Sequence, residues 1–128
     1  MDTKTVIVSG SRTINRYDLF CSVMRMSPWY GRIDTVYVGD AKGVDAMAVR
    51  WCQENGITYR IFKAEWDLYG RGAGPERNGE MIMAGGQALI AFWDGSSKGT
   101  KNMIYQAQHH ELPIFQRLLL DMVMAEAL

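Results

Sequence analysis

The chain has no charge excess: its 128 residues carry 14 Lys plus Arg against 14 Asp plus Glu, a formal net charge of zero. Proteins that hold nucleic acid electrostatically show a basic excess or stripe, so a nucleic-acid partner is not expected. Cysteine is scarce, and so is histidine, with two of each. Cys21 and Cys52 both fall on apolar helix faces and read as small buried hydrophobes. His109 and His110 are adjacent, cannot share a helix face, and read as a solvated helix end. Without a Cys/His cluster at ligand spacing no metal site is indicated, and no cofactor is expected. No apolar run approaches the roughly 20 residues that span a bilayer. Met1-Asp2-Thr3-Lys4 leads into a strand-like run without a signal-peptide pattern, so a cytoplasmic protein with no membrane partner is expected. Neither G-x-G-x-x-G nor G-x-x-x-x-G-K-[ST] occurs, which removes the dinucleotide fingerprint and the P-loop.

What the chain does have is glycine in three particular places. Val8-Ser9-Gly10-Ser11-Arg12, Val38-Gly39-Asp40-Ala41-Lys42-Gly43-Val44-Asp45 and Asp94-Gly95-Ser96-Ser97-Lys98-Gly99-Thr100 each follow a short apolar run and precede a helical pattern. Helix N-termini present unpaired N–H groups and a positive dipole end, and glycine lets a phosphate approach that backbone. Three such turns on one edge of a sheet suggest a pocket for a phosphorylated small molecule.

The remaining pattern supports that placement. Strands are expected over residues 5–9, 34–38, 57–62, 87–93 and 113–116, with amphipathic helices between them. Val44, Met47, Ala48, Trp51 and Cys52 form an i, i+3, i+4, i+7, i+8 stripe, closed by Asn55-Gly56 as a left-handed cap. Residues 63–74 read as a long loop, ordered by Trp66 and Tyr69, with Pro75 opening the next helix. Alternating strands and helices predict a single α/β domain over residues 1–128, a doubly wound Rossmann-like sheet of about five mostly parallel strands with helices on both faces. Ligands then bind beyond the carboxyl ends of the strands. The apolar stretch 117–128 is expected to pack on a second subunit, making a homo-oligomer.

Each turn offers different chemistry. Gly10-Ser11-Arg12 supplies amides, a hydroxyl and a guanidinium whose planar fork suits phosphate. Asp40 and Asp45, flanked by Gly39 and Gly43, would repel a phosphate and more naturally accept hydrogen bonds from ribose or a base. Asp94, Gly95, Ser97, Lys98, Gly99 and Thr100 make an oxyanion cradle of hydroxyls, amides and a helix dipole. Arg77 and Asn78 fall in a first helical turn, and Trp66 offers a stacking face for a nucleobase.

Taken in order, V-S-G-S-R at 8–12, G-D-A-K-G-V-D at 39–45, A-E-W-D-L-Y-G at 64–70, A-G-P-E-R-N-G-E-M at 73–81 and W-D-G-S-S-K-G-T at 93–100 resemble the SLOG superfamily of Rossmann-like domains, the SMF/DprA–LOG group. The likeness is strongest to its small YspA-like, YpsA-related branch and covers residues 5 to about 116. The resemblance implies a nucleotide or nucleotide-derived ligand at the strand ends, often within a homo-oligomer. On matching positions it puts Gly10, Ser11, Arg12, Gly39, Gly43, Asp45, Arg77, Asn78, Gly95, Gly99 and Thr100 at the site. Two positions depart from the pattern. Asp40 stands where many relatives have a second glycine. Met103 stands where the LOG branch, which looks like phosphoribohydrolases, has a glutamate three residues after the Thr of its Gly-rich turn. Without that carboxylate, a binder that senses or sequesters its ligand is expected. The alternative is an N-glycosidase on nucleoside monophosphates or NAD/ADP-ribose-type substrates, with Asp40, Asp45 or Glu80 in the missing role.

Overall fold

β-Branched and aromatic residues cluster in the segments that become strands. In the structure, a computed structural model that describes residues 2–119, these are β1 (Lys4–Gly10), β2 (Ile33–Val38), β3 (Thr58–Ile61), β4 (Ala88–Trp93) and β5 (Ile114–Leu118). Between them lie α1 (Tyr17–Met26), α2 (Val44–Asn55), α3 (Trp66–Tyr69), α4 (Ala73–Met83) and α5 (Lys98–His109). All five strands are parallel, in the order β3-β2-β1-β4-β5. The direction in which successive strands are added reverses between β1 and β4, which makes that junction the switch point of a Rossmann-like fold.

Side chains alternate across the sheet, and two cores result. Val6, Val8, Val36, Val38, Ile90 and Phe92 face α1 and α2, where Phe20, Met24, Met47, Trp51 and Cys52 complete the packing. Ile7, Leu89 and Ala91 face the other way, against Met81 and Ile82 of α4 and Met103, Ile104 and Ala107 of α5. Burial on both faces accounts for the near-continuous apolar character of β1 and β4. Gly56 closes α2 with φ +65°, the left-handed cap expected of Asn55-Gly56. Gly10 serves packing instead: a Cβ there would stand 2.5 Å from a methyl of Val44, so β1 and α2 approach this closely only through glycine.

Three expectations need correction. Residues 63–74 are not a long loop: α3 and a 3-10 turn over Gly70–Gly72 run directly into α4. Pro75 is therefore the third residue of α4, still within the first turn, where its missing N–H has no carbonyl to meet. The last strand runs to Leu118 rather than Gln116, its chain held on by the Leu119 N–H donating to the Trp93 carbonyl at 2.7 Å. The Gly10 turn does not open directly on a helix. Six residues separate Gly10 from Tyr17, and Ile14 anchors that connection in the interior. The subunit contact expected on 117–128 lies, from residue 120 onward, outside the described residues.

The two thiols differ. Cys52 is fully buried, and burial pushes its pKa up to about 12, whereas Cys21 is half-buried on α1. Among the described residues, no helix is long and apolar enough to cross a membrane.

Candidate functional site

A cavity of about 500 Å3 opens beyond the carboxyl ends of the strands at the switch point. The N-terminal turns of α2, α4 and α5 all contribute to its wall.

At the end of β1, Gly10 and Arg12 line the cavity, joined by Ser9 and Thr13. Ser11 does not; it turns inward and is 1 % exposed. Its N–H donates to the Phe92 carbonyl at 3.0 Å, and its Oγ accepts from the Asp94 N–H at 3.1 Å. Ser11 thus bolts the exit of β1 to the exit of β4 and acts on the site through the backbone.

At the end of β2, Gly39 and Asp45 reach the cavity. Asp45 is 6 % exposed, and one carboxylate oxygen, Oδ2, accepts from the Ala41 N–H at 3.0 Å. Burial pushes its pKa up to about 6; the Ala41 N–H and the neighbouring Arg77 partly oppose that rise. Gly39 makes this crowding possible, because a Cβ there would stand 2.2 Å from Arg77 Nη1 and 2.7 Å from Asp45 Oδ2. Asp40 stands outside the lining and pairs with Arg77 at 3.3 Å. Gly43 lies behind the wall as the N-cap of α2, with φ +71°, and a Cβ on it would meet the Arg12 carbonyl at 2.6 Å. Glycine is required there on both counts.

From α3 and α4 come Trp66, Arg77 and Asn78. Trp66 is 52 % exposed at the rim, with one edge of its ring near Gly74. Tyr69, the other aromatic of that segment, is not part of the lining. Arg77 is held from three sides: Nη1 donates to Asp40 Oδ1 and to the Phe62 carbonyl, and Nε donates to Asn78 Oδ1 at 3.1 Å. Asn78, 2 % exposed, donates from Nδ2 to the Gly99 carbonyl at 3.3 Å and to Asn102 Oδ1 at 3.1 Å. Asn78 is the sixth residue of α4, so it and Arg77 lie in the second turn rather than the first turn the sequence suggests, because the helix starts earlier, at Ala73. Asn78 ties that turn to the start of α5 while orienting the guanidinium beside it.

At the end of β4, Asp94, Ser97, Lys98, Gly99 and Thr100 line the cavity, while Gly95 sits at the turn with φ +89° and does not. Asp94 is spent on the protein. Its Oδ1 takes the N–H groups of Ser96 and Ser97 at 2.9 and 2.8 Å, and its Oδ2 takes the Thr13 hydroxyl at 2.9 Å. Those bonds, led by the Ser96 amide, hold its pKa down at about 2. Two amides that the sequence offers to a ligand are thus already occupied. Ser97 is the N-cap of α5; its Oγ accepts from the Thr100 N–H over a long 3.5 Å, and its carbonyl accepts from Trp93 Nε1 at 3.0 Å. The amides of Lys98 and Gly99 head the helix with no carbonyl a turn behind them. They are the donors left at the positive end of the dipole.

Sequence reasoning passed over Thr13, Arg71 and Asn102, which share this lining. Arg71 lies in the segment read as loop. Asn102 shows its role only once α5 packs on α4, so no local pattern marks it. Met103, at the position of the LOG glutamate, is fully buried in the core beneath the cavity, among Ile7, Leu89 and Ala91. Among the described residues, no group of three or more His, Cys, Asp or Glu is arranged to hold a metal ion.

The parallel sheet in 3-2-1-4-5 order, with a cavity at its switch point, defines a Rossmann-like α/β domain. Residues 4–69 match the family described as YAcAr, the YspA, cpYpsA-related SLOG family, and the chain belongs to it. It is also similar to the Gene 61 protein of Mycobacterium phage D29, at 33 % identity over 120 residues that cover 87 % of this chain and 94 % of that protein.

Proposed function

We propose that this protein binds a nucleotide or nucleotide-derived small molecule at the carboxyl edge of its sheet and holds it intact, as a sensor or sequestering protein. The observation that carries this reading is the opening turn of α5 at the cavity wall. There the amides of Lys98 and Gly99 and the hydroxyls of Ser97 and Thr100 surround a helix N-terminus, the arrangement that takes a phosphate. Arg12, Arg71 and Lys98 stand around the same cavity, and among the described residues none of the three forms a salt bridge. Holding rather than cleaving is supported by Met103, which puts an apolar side chain where the LOG branch has its carboxylate. The apolar sequence of residues 117–128 supports a homo-oligomer, and the reading is of a cytoplasmic protein.

A second reading, an N-glycosidase on nucleoside monophosphates or NAD/ADP-ribose-type substrates, is favoured by Asp45. Of Asp40, Asp45 and Glu80 it is the one that lines the cavity, and a pKa near 6 suits proton transfer near neutrality. Glycoside cleavage, however, ordinarily uses two carboxyl groups, and the cavity's other one, Asp94, is saturated and strongly acidic. Native mass spectrometry of the purified protein reads oligomeric state and retained ligand together. Incubation with a nucleotide panel, followed by chromatography for free base, then separates the readings. A bound, unchanged nucleotide is expected; released base establishes the glycosidase, and no binding by any member of the panel refutes both.

A further inference from the structure

The strand order arranges the chemistry along the cavity. In the strand order β3-β2-β1-β4, Trp66 follows β3, Asp45 follows β2 and the opening turn of α5 follows β4, and all three line the cavity. These are a flat aromatic face, a carboxylate and an anion cradle. A nucleotide has its base, ribose and 5′-phosphate bonded in that same order.

Asp45 is the informative member. It is more than nine-tenths buried, and Oδ2 is taken by the Ala41 N–H, but among the described residues no protein donor reaches Oδ1. An ionised carboxylate only accepts, so whatever fills the cavity beside it must bring donors. A phosphate brings negative charge instead and is directed to α5. The other acid of the turn, Asp40, is engaged by Arg77, which leaves Asp45 as the acceptor that faces the ligand. Resting on the nucleotide reading above, we propose that Asp45 is the sugar-reading residue, accepting the ribose hydroxyls of a ligand whose phosphate lies at α5 and whose base lies against Trp66. The site then takes 5′-phosphorylated ribonucleosides with a free 2′-hydroxyl, and it discriminates against 2′-deoxy and 2′-phosphorylated forms.

The selectivity follows from what each wrong ligand leaves behind. A 2′-deoxy sugar removes a donor from a buried charged acceptor, which costs about tenfold to a hundredfold in affinity. A 2′-phosphate sets like charges together in a confined site, and a loss above about a hundredfold is expected.

The test is calorimetric titration at pH 7.5 with the 5′-mono- and diphosphates of the four ribonucleosides, then the 2′-deoxy counterpart of each binder. Adenosine 5′-monophosphate is compared with adenosine 2′,5′-bisphosphate in the same way. Ribose forms are expected to bind at least tenfold tighter than their deoxy counterparts, and the bisphosphate to bind weakest. In Asp45→Asn, which keeps an acceptor for the Ala41 amide, both preferences shrink, and the bisphosphate gains affinity in absolute terms. Equal affinity for ribose and deoxy forms overturns the assignment of Asp45 and leaves the nucleotide reading standing, and a dependence on the base alone does the same. Failure of every member to bind overturns the nucleotide reading and this assignment with it. The ribose–deoxy comparison uses the unmodified protein, so it decides the matter whether or not the variant folds.

Discussion

Replacing Gly39 by Ala tests the most crowded point of the site. The added Cβ would stand 2.2 Å from Arg77 Nη1 and 2.7 Å from Asp45 Oδ2. Arg77 ends a flexible side chain and yields, giving up its 3.3 Å contact with Asp40 and its 3.4 Å bond to the Phe62 carbonyl. Each is worth about 0.5–1 kcal/mol at this partly exposed position. Asp45 is buried and fixed by Ala41, so the residual crowding adds about 1 kcal/mol. Reduced freedom of the unfolded chain returns about 0.4–1 kcal/mol. The net expectation is a loss of about 1–2.6 kcal/mol, or a fall of about 3–13 °C in Tm for a domain of this size. Thermal unfolding of Gly39→Ala, Arg77→Ala and the double variant isolates the mechanism. With the guanidinium gone, only the crowding against Asp45 remains, and Gly39→Ala then loses about 1 kcal/mol or more of its cost. Effects that simply add, within about 0.5 kcal/mol, would refute the account of Gly39 as the space Arg77 occupies.

Other consequences can be checked on the same footing. Burial raises the folded pKa of Asp45 from 3.8 to about 6, opposed by the Ala41 N–H, Arg77 and Arg12 and aided by Asp40, so its ionisation opposes folding. The folded state binds that proton first; stability from this group therefore rises as pH falls from about 6 to about 4, and the full penalty, on the order of 2–3 kcal/mol, applies above pH 6. Melting curves of Asp45→Asn across pH 4–7 lack that component, and a variant that retains it contradicts the burial argument. Ser97→Ala removes the N-cap of α5 and costs about 1 kcal/mol in urea denaturation, with a weaker phosphate site if the cradle depends on that turn. Met103→Glu, which restores the LOG side chain type, places a carboxylate in a fully buried apolar cluster. A loss of several kcal/mol is expected, with no base released from nucleotides; a stable variant that cleaves them would show that Met103 alone separates the two activities.

The fold was legible wherever local chemistry and tertiary packing agree. Alternation in β1 and β4, the apolar stripe of α2 and the Asn55-Gly56 cap each follow from a pattern within a few residues. The segment 63–74 misleads because Gly70, Gly72 and Gly74 have poor helix propensity, yet packing on α4 holds that chain in helical turns. The site was legible as a place more than as a set of contacts. Three glycine turns do meet at one cavity, but Ser11 proves to be a bolt between strands, and Asp94 consumes the Ser96 and Ser97 amides. The first of these roles depends on a pairing across the fold that no single segment encodes. The tie from Asn78 to Gly99 and Asn102 joins residues more than twenty positions apart and has no sequence signal.

Cys52 makes the protein its own reporter. The thiol is sealed in α2, the helix whose first turn carries Asp45, and at a pKa near 12 it is almost wholly protonated and inert toward alkylating reagents. Half-buried Cys21 on α1 provides the faster comparison within the same molecule. Alkylation of Cys52 therefore clocks the opening of the helix whose first turn lines the cavity through Asp45. A ligand seated there slows the clock by the factor 1 + [L]/Kd if only the closed form binds it. Counting modified thiols by mass over time would then rank candidate metabolites without a label, an activity assay or any assumption about the base.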